Sequence, residues 1–267
     1  MSASPLLSER RGPVTVVTIN RPEVRNCIDA RTADLLAAAI DAFASDAEAR
    51  VLVVTGSGDR AFCAGADLRS VGDLMRRPDV ARTGPLGFSG LDPGKPTIAA
   101  VEGFCIGGGI ELACWCDLRI AGREAAFGAF NRRVGVPWVD GGTQRLPRIV
   151  GVGRALYLLE TGERIDAPRA LDFGLVDEVV PAGGALSRAL ELAGRMAAYP
   201  QASLRSDRAA LLGAWGRDLA AGLAYEAEAG AASLQDRELI EGARRFVEGD
   251  GPIERSGDGG AAGALHP

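Results

Sequence analysis

Three glycines in a row, Gly107-Gly108-Gly109, constrain this 267-residue chain more than any other feature. Before them, the run from Thr97 to Val101 reads as a buried strand. After them, Ile110-Glu111-Leu112-Ala113 opens a segment of helical type with a carboxylate in its first turn. A strand, a tight turn and a helix start are therefore expected here. A helix start leaves backbone N–H groups without partners and carrying partial positive charge, and glycine lets a ligand oxygen approach them without meeting a Cβ. Such a turn can hold an oxyanion.

A second stretch repeats the design. Val51 to Thr55 reads as a strand and Gly56-Ser57-Gly58-Asp59 as a turn, and Ala61 to Arg69 runs through small residues toward another expected helix start. If the two turns lie side by side, the N–H groups of Ala66 and Gly108 can point at one carbonyl oxygen. Two such donors form an oxyanion hole, which stabilises the charge that develops when a thioester becomes an enolate or a tetrahedral intermediate.

The segment Ala61-Phe62-Cys63-Ala64-Gly65-Ala66-Asp67-Leu68 is followed by the run from Lys95 through the three glycines to Asp117, and then by Gly135-Val136-Pro137-Trp138-Val139-Asp140-Gly141-Gly142-Thr143. In this order and spacing the three motifs resemble the crotonase superfamily, the enoyl-CoA hydratase/isomerase family, from about Val14 to about Ala198. The resemblance implies an α/β fold: a spiral of repeated ββα units with a C-terminal helical oligomerisation region. Residues 1–195 are expected to form the core with an acyl-CoA site, 196–250 a helical trimerisation region, and 251–267, rich in Gly and Ala, a disordered tail. It also implies a homotrimer or a dimer of trimers.

Composition narrows the alternatives. With 47% hydrophobic and 24% charged residues the chain is an ordinary globular one. Net charge is −5, no basic run occurs and Lys95 is the sole lysine, so nucleic acid is excluded as a partner. The polar N-terminus lacks the apolar core of a signal peptide and no run of 18 apolar residues occurs, so no membrane association is expected and the location is read as cytoplasmic. Five cysteines without metal-ligand spacing are read as reduced, mostly buried thiols. The sole histidine, His266, is next to last, which removes Ser-His-Asp and Cys-His catalysis and a histidine-based metal site from any ordered core. No metal and no separate cofactor is expected, since coenzyme A enters as part of the substrate. No Gly-x-Gly-x-x-Gly follows the first strand and no Gly-Lys-Ser/Thr occurs, which disfavours a nicotinamide dehydrogenase and a P-loop enzyme.

Glu111 stands beside the expected oxyanion donor among Ile110, Leu112, Ala113 and Trp115, where desolvation raises a carboxyl pKa toward neutral and suits it to proton transfer. A glutamate in a first helical turn also simply complements the helix dipole. The resemblance places Glu111 on the family's first catalytic glutamate and puts Asn131 where hydratases of the family carry their second. An amide orients a water through its oxygen but cannot accept a proton. Asp140, nine residues on, falls close to an active-site aspartate of some family members; as a residue before the Thr143 helix it equally suits an N-cap. The resemblance further implies that Arg25 pairs with coenzyme A phosphates and that Ala64, Asp67, Leu68 and Arg69 contact the substrate. Arg25 also reads as a solvated surface residue, and Asp67 and Asp117 as caps of turns. Leu74, Leu86 and Phe88, in the breaker-rich stretch Val71 to Gly94, are expected to shape the acyl pocket.

Addition of water to a 2-enoyl-CoA is the reaction this pattern implies, with isomerisation using Glu111 and Asp140, or a CoA-thioester binder that has lost catalysis, as alternatives. Asn131 favours the binder; Glu111 with Asp140 favours the enzyme.

Overall fold

The computed structural model describes residues 3–248. The described residues form two compact units that divide between Gln201 and Ala202. The expected core boundary at 195 lies inside a helix, and the units divide just beyond that helix. The stretch 251–267, expected to be disordered, and His266 lie outside the described residues.

In the first unit the chain runs β1 (Leu6–Arg11), β2 (Val14–Ile19), α1 (Ala30–Ser45), β3 (Val51–Gly56), β4 (Ala61–Cys63), α2 (Val71–Met75), α3 (Val80–Thr83), β5 (Thr97–Val101), β6 (Phe104–Ile106), α4 (Gly108–Trp115), β7 (Leu118–Gly122), β8 (Ala126–Gly128), α5 (Gly142–Val150), α6 (Val152–Thr161), β9 (Ile165–Asp166), α7 (Ala167–Asp172), β10 (Glu178–Val180) and α8 (Ala185–Ala198). Six strands form one sheet in the order β1-β2-β3-β5-β7-β10, and four short ones form a second in the order β4-β6-β8-β9. The first turn, β1-β2-α1, leaves both strands in the large sheet. The three that follow, opened by β3-β4, β5-β6 and β7-β8, each leave one strand in the large sheet and the next in the small sheet before helices close them, which is the repeated ββα spiral. Pairing is parallel except for β1 with β2 and β8 with β9.

Both faces of the large sheet are covered, and its inner strands are accordingly apolar throughout. Val17, Ile19, Leu52, Val54, Ala99 and Val101 point into the main core with Phe62, Ile110 and Phe127. Val14, Val16, Val51, Val53, Ile98 and Ala100 face the other way, against Ala185, Ala189, Ala193 and Ala197 of α8. Alanine at every fourth position presents one small-residue stripe, so the helix lies close on the sheet.

Several expectations are corrected. Thr97–Val101 does not run directly into the glycines: Glu102 and Gly103 carry the chain across to the small sheet, where β6 comes first, and a Cβ at Gly103 would come within 2.3 Å of the Arg60 backbone. The segment after Ala61 begins with a strand, and only a 3-10 turn at Leu68–Ser70 and the short α2 follow. The strand β1 has no counterpart in the reading of the N-terminus, because it is an edge strand whose residues after Leu6 are exposed. The five cysteines are free and all but Cys27 are buried. The second unit carries α9 (Gln201–Gly213), α10 (Leu219–Ser233) and α11 (Arg237–Val247), with Leu211, Leu219, Leu223, Ile240 and Phe246 exposed. Among the described residues no helix is long and apolar enough to cross a membrane.

Candidate active site

A cavity of about 270 Å³ opens between the two glycine turns, lined by Ala64, Ala66, Leu68, Leu74, Leu86, Gly108, Glu111, Asn131, Trp138 and Asp140 among others. The turns do lie side by side. A Cβ on Gly65 would sit 2.8 Å from the Gly108 nitrogen, and one on Gly108 would sit 3.7 Å from the Ala66 nitrogen. Gly65 and Gly107 both have positive φ, +87° and +54°, a backbone state other residues enter only with strain. The neighbours of Ala66 are pinned by a bridge to Ile28, which donates its N–H to the Gly65 carbonyl at 2.8 Å and accepts the Asp67 N–H at 2.8 Å. Among the described residues neither the Ala66 nor the Gly108 N–H donates to a protein acceptor. Gly109 serves packing instead: a Cβ there would come 2.0 Å from the Cys63 carbonyl oxygen, so α4 rests directly on β4.

Glu111 is 2% exposed and does not serve its own helix. Its Oε1 accepts the N–H groups of Asp140 and Gly142, both at 2.9 Å, so it meets the start of α5 and leaves Oε2 to the cavity. Burial pushes its pKa up to about 7, opposed by the Gly142 hydrogen bond and reinforced by the charge of Asp140. Asp140, 1% exposed, is no N-cap: α5 is preceded by Gly141, and the aspartate Oδ1 accepts the Leu86 N–H at 3.0 Å. Burial raises its pKa to about 6, against the pull of the Leu86 and Ser89 hydrogen bonds and the charges of Arg77 and Arg145. The cavity therefore holds two carboxyls, joined through the Asp140 N–H, whose affinities for a proton lie close to neutrality.

Asn131 stands on the 3-10 turn Phe130–Val134. Its Nδ2 donates to the Val136 carbonyl at 2.7 Å, while Oδ1 is buried without a partner, and a Cβ on Gly107 would lie 3.8 Å from that oxygen. Trp138, which sequence reasoning missed, packs its ring on Gly142 as the Glu111 side chain does, and its Nε1–H is likewise buried and unpaired. The one signal for it was a lone aromatic residue just ahead of Asp140.

Of the five substrate-contact candidates, Ala64 and Leu68 line the cavity. Arg25 lies outside it, its guanidinium 5.5 Å from the centre of the Phe104 ring, with that of Arg164 5.7 Å from the same ring. Asp67 is held by Arg69 and Arg21 at 2.9 and 3.1 Å; these bonds, that of Arg69 foremost, hold its pKa down to about 2, and it caps the turn at Leu68–Ser70. Arg69 is spent on that ion pair. Asp117 ties Thr97 across the strand ends. Leu74 and Leu86 line the cavity as expected, but Phe88 is fully buried and packs edge-on against Trp115 at 6.1 Å. Among the described residues no group of three His, Cys, Asp or Glu is placed to hold a metal ion.

A family model described as enoyl-CoA hydratase/isomerase matches residues 9–253. The chain is similar to a crotonyl-CoA hydratase of Syntrophomonas wolfei, 36% identical over 251 residues that cover 93% of this chain and 96% of that one. It is 34% identical over 252 residues to a short-chain-enoyl-CoA hydratase of Clostridium acetobutylicum, with the same coverages. The crystal structure of a probable enoyl-CoA hydratase/isomerase from Mycobacterium abscessus superposes with a TM-score of 0.85 at 35% identity, covering 94% of this chain and 98% of the other.

Proposed function

The chain belongs to the enoyl-CoA hydratase/isomerase family, and from that membership together with the cavity we propose that it adds water to, or removes it from, a 2-enoyl-CoA thioester. The observation that carries this reading is the pair of unpartnered N–H groups, Ala66 and Gly108, on the same cavity wall as the open oxygen of Glu111. A thioester carbonyl set between those donors gains more from them as its oxygen becomes an enolate than it does in the ground state, a difference worth about 3 kcal/mol per donor.

The two carboxyls supply the protons. With one proton held between Glu111 and Asp140, the ionised group takes a proton from water as the water oxygen bonds to Cβ and the Cα=Cβ electrons move into the enolate. The protonated group then delivers its proton to Cα as the enolate collapses. The pair ends the cycle with one proton, as it began, and dehydration is the same path reversed. Asn131 takes no proton; its Oδ1 accepts a hydrogen bond from the water. Isomerisation is the second reading, favoured by Asp140 standing where a carboxyl can return to another carbon the proton that Glu111 removes.

Ala64 and Leu68 border the thioester in this reading, and Arg25, with Arg164 on the same ring, meets the phosphates of coenzyme A. No further cofactor is required. The helices of the second unit, with their exposed leucines, serve assembly of a trimer or a pair of trimers, and the protein works in the cytoplasm. The test is loss of the conjugated enoyl-thioester absorbance on mixing with crotonyl-CoA, with identification of the product. Formation of 3-hydroxybutyryl-CoA supports hydration, and a shifted double bond in a longer substrate supports isomerisation. Tight binding of CoA esters without turnover of any enoyl-CoA would leave only a binder.

A further inference from the structure

Arg77 is the most deeply buried cation near the cavity, with its side chain 2% exposed between α2 and α3. Its Nε donates to Asp34 Oδ1 at 2.7 Å, its Nη1 to the carbonyls of Gly84 and Pro85 at 2.9 and 3.0 Å, and its Nη2 to the Thr83 hydroxyl at 3.3 Å. Three consecutive residues are thus gripped by one planar fork, a geometry that a lysine ammonium cannot reproduce. The next residue is Leu86. Its N–H holds Asp140 Oδ1, and its side chain lies so close to Gly108 that a Cβ there would come 2.4 Å from Leu86 Cδ1.

We propose that Arg77 is a positioning residue for the reaction: by fixing the turn 83–85 it sets the Leu86 N–H against Asp140 Oδ1. The inference rests on the assignment of Asp140 to proton transfer made above. The charged and titratable groups facing Asp140 are Glu111 of α4, which accepts the Asp140 N–H, Arg145 of α5, which donates to the Asp140 and Ser89 carbonyls, and Arg77 itself. Arg77 holds the backbone that carries the Leu86 donor to Oδ1, as Arg145 holds the Ser89 carbonyl. Loosening Arg77 weakens a hydrogen bond to the ionised carboxylate, so the acid limb of the pH–rate profile moves up.

The experiment compares Arg77→Lys, Asp140→Asn and the double variant for crotonyl-CoA hydration across pH, with folding followed by circular dichroism. Arg77→Lys is expected to lower kcat about tenfold with KM within about twofold, to raise the acid limb, and to cost nothing further in the Asp140→Asn background. An equal loss in both backgrounds, or an unmoved acid limb, would overturn the proposal. Wild-type turnover by Asp140→Asn alone would instead remove the Asp140 assignment, and the positioning role with it. Should Arg77→Lys not fold, Asp34→Asn loosens the same clamp from outside, since that aspartate side chain is 57% exposed. The same non-additivity with Asp140→Asn is expected at about a threefold loss, and unchanged kcat there would overturn the proposal.

Discussion

The carboxyls and the amide that line the cavity differ in what they can do with a proton. Glu111 and Asp140 each accept backbone N–H groups through one oxygen, both are buried, and both are shifted toward neutral pH. Asn131 is fixed by donating to Val136 and presents an oxygen that has no proton to give and no basicity to take one. In the proposed mechanism the difference concentrates proton movement in the pair of buried carboxyls and leaves Asn131 only the orientation of water.

The sharpest way to break that comparison is Glu111→Gln, which keeps the shape and an oxygen for the two N–H groups but removes the proton-binding site. It is expected to lower kcat for crotonyl-CoA at least about 10³-fold, and retention of the rate would move the chemistry off this carboxyl. Asp140→Asn is expected to cost about 10²-fold in kcat with little change in KM. In the wild type, kcat/KM should describe a narrow bell with limbs near the pair's values of about 6 and about 7, and Asp140→Asn should remove the acid limb. Asn131→Glu puts a proton acceptor in place of the amide, and hydration of crotonyl-CoA is expected to rise about tenfold; a fall would show that this position needs the amide.

The smallest effect is on stability. Because the folded pKa of Glu111 lies above the ordinary glutamate value of 4.5, the folded state binds more protons between about 4.5 and about 7, and stability falls as pH rises through that window. Glu111→Gln removes this loss. Its Tm should exceed that of the wild type by a few degrees at pH 8 and match it at pH 4, as read by thermal unfolding.

The sequence made legible what depends on local pattern. The inner strands of the large sheet stood out as runs such as Val51 to Thr55 because both their faces are buried, and the glycine turn stood out because no other residue type fits it. The approach of Ala66 to Gly108 followed from the resemblance and from the chemistry of two helix starts, although one of the two proved to be a 3-10 turn. The three-residue strands β4, β6 and β8 were illegible, being too short to show a period of two. Asp140 looked like a cap because Asp-Gly-Gly suits one, yet its side chain finds a partner 54 residues away. Arg77 was lost among breakers for the same reason, since nothing near it in the chain announces that it grips Asp34 and the turn before Leu86.

Gly142 has a consequence for anyone wishing to redesign the substrate range. A single methyl there would come 2.4 Å from the Trp138 ring and 2.7 Å from Glu111 Cγ, so nothing larger fits behind these two cavity residues without displacing the acid itself. Leu68, Met75, Val134 and Val139 line the same space but stand exposed at its mouth. Libraries aimed at longer or bulkier acyl chains therefore belong at the mouth, where variation leaves the carboxyl pair undisturbed.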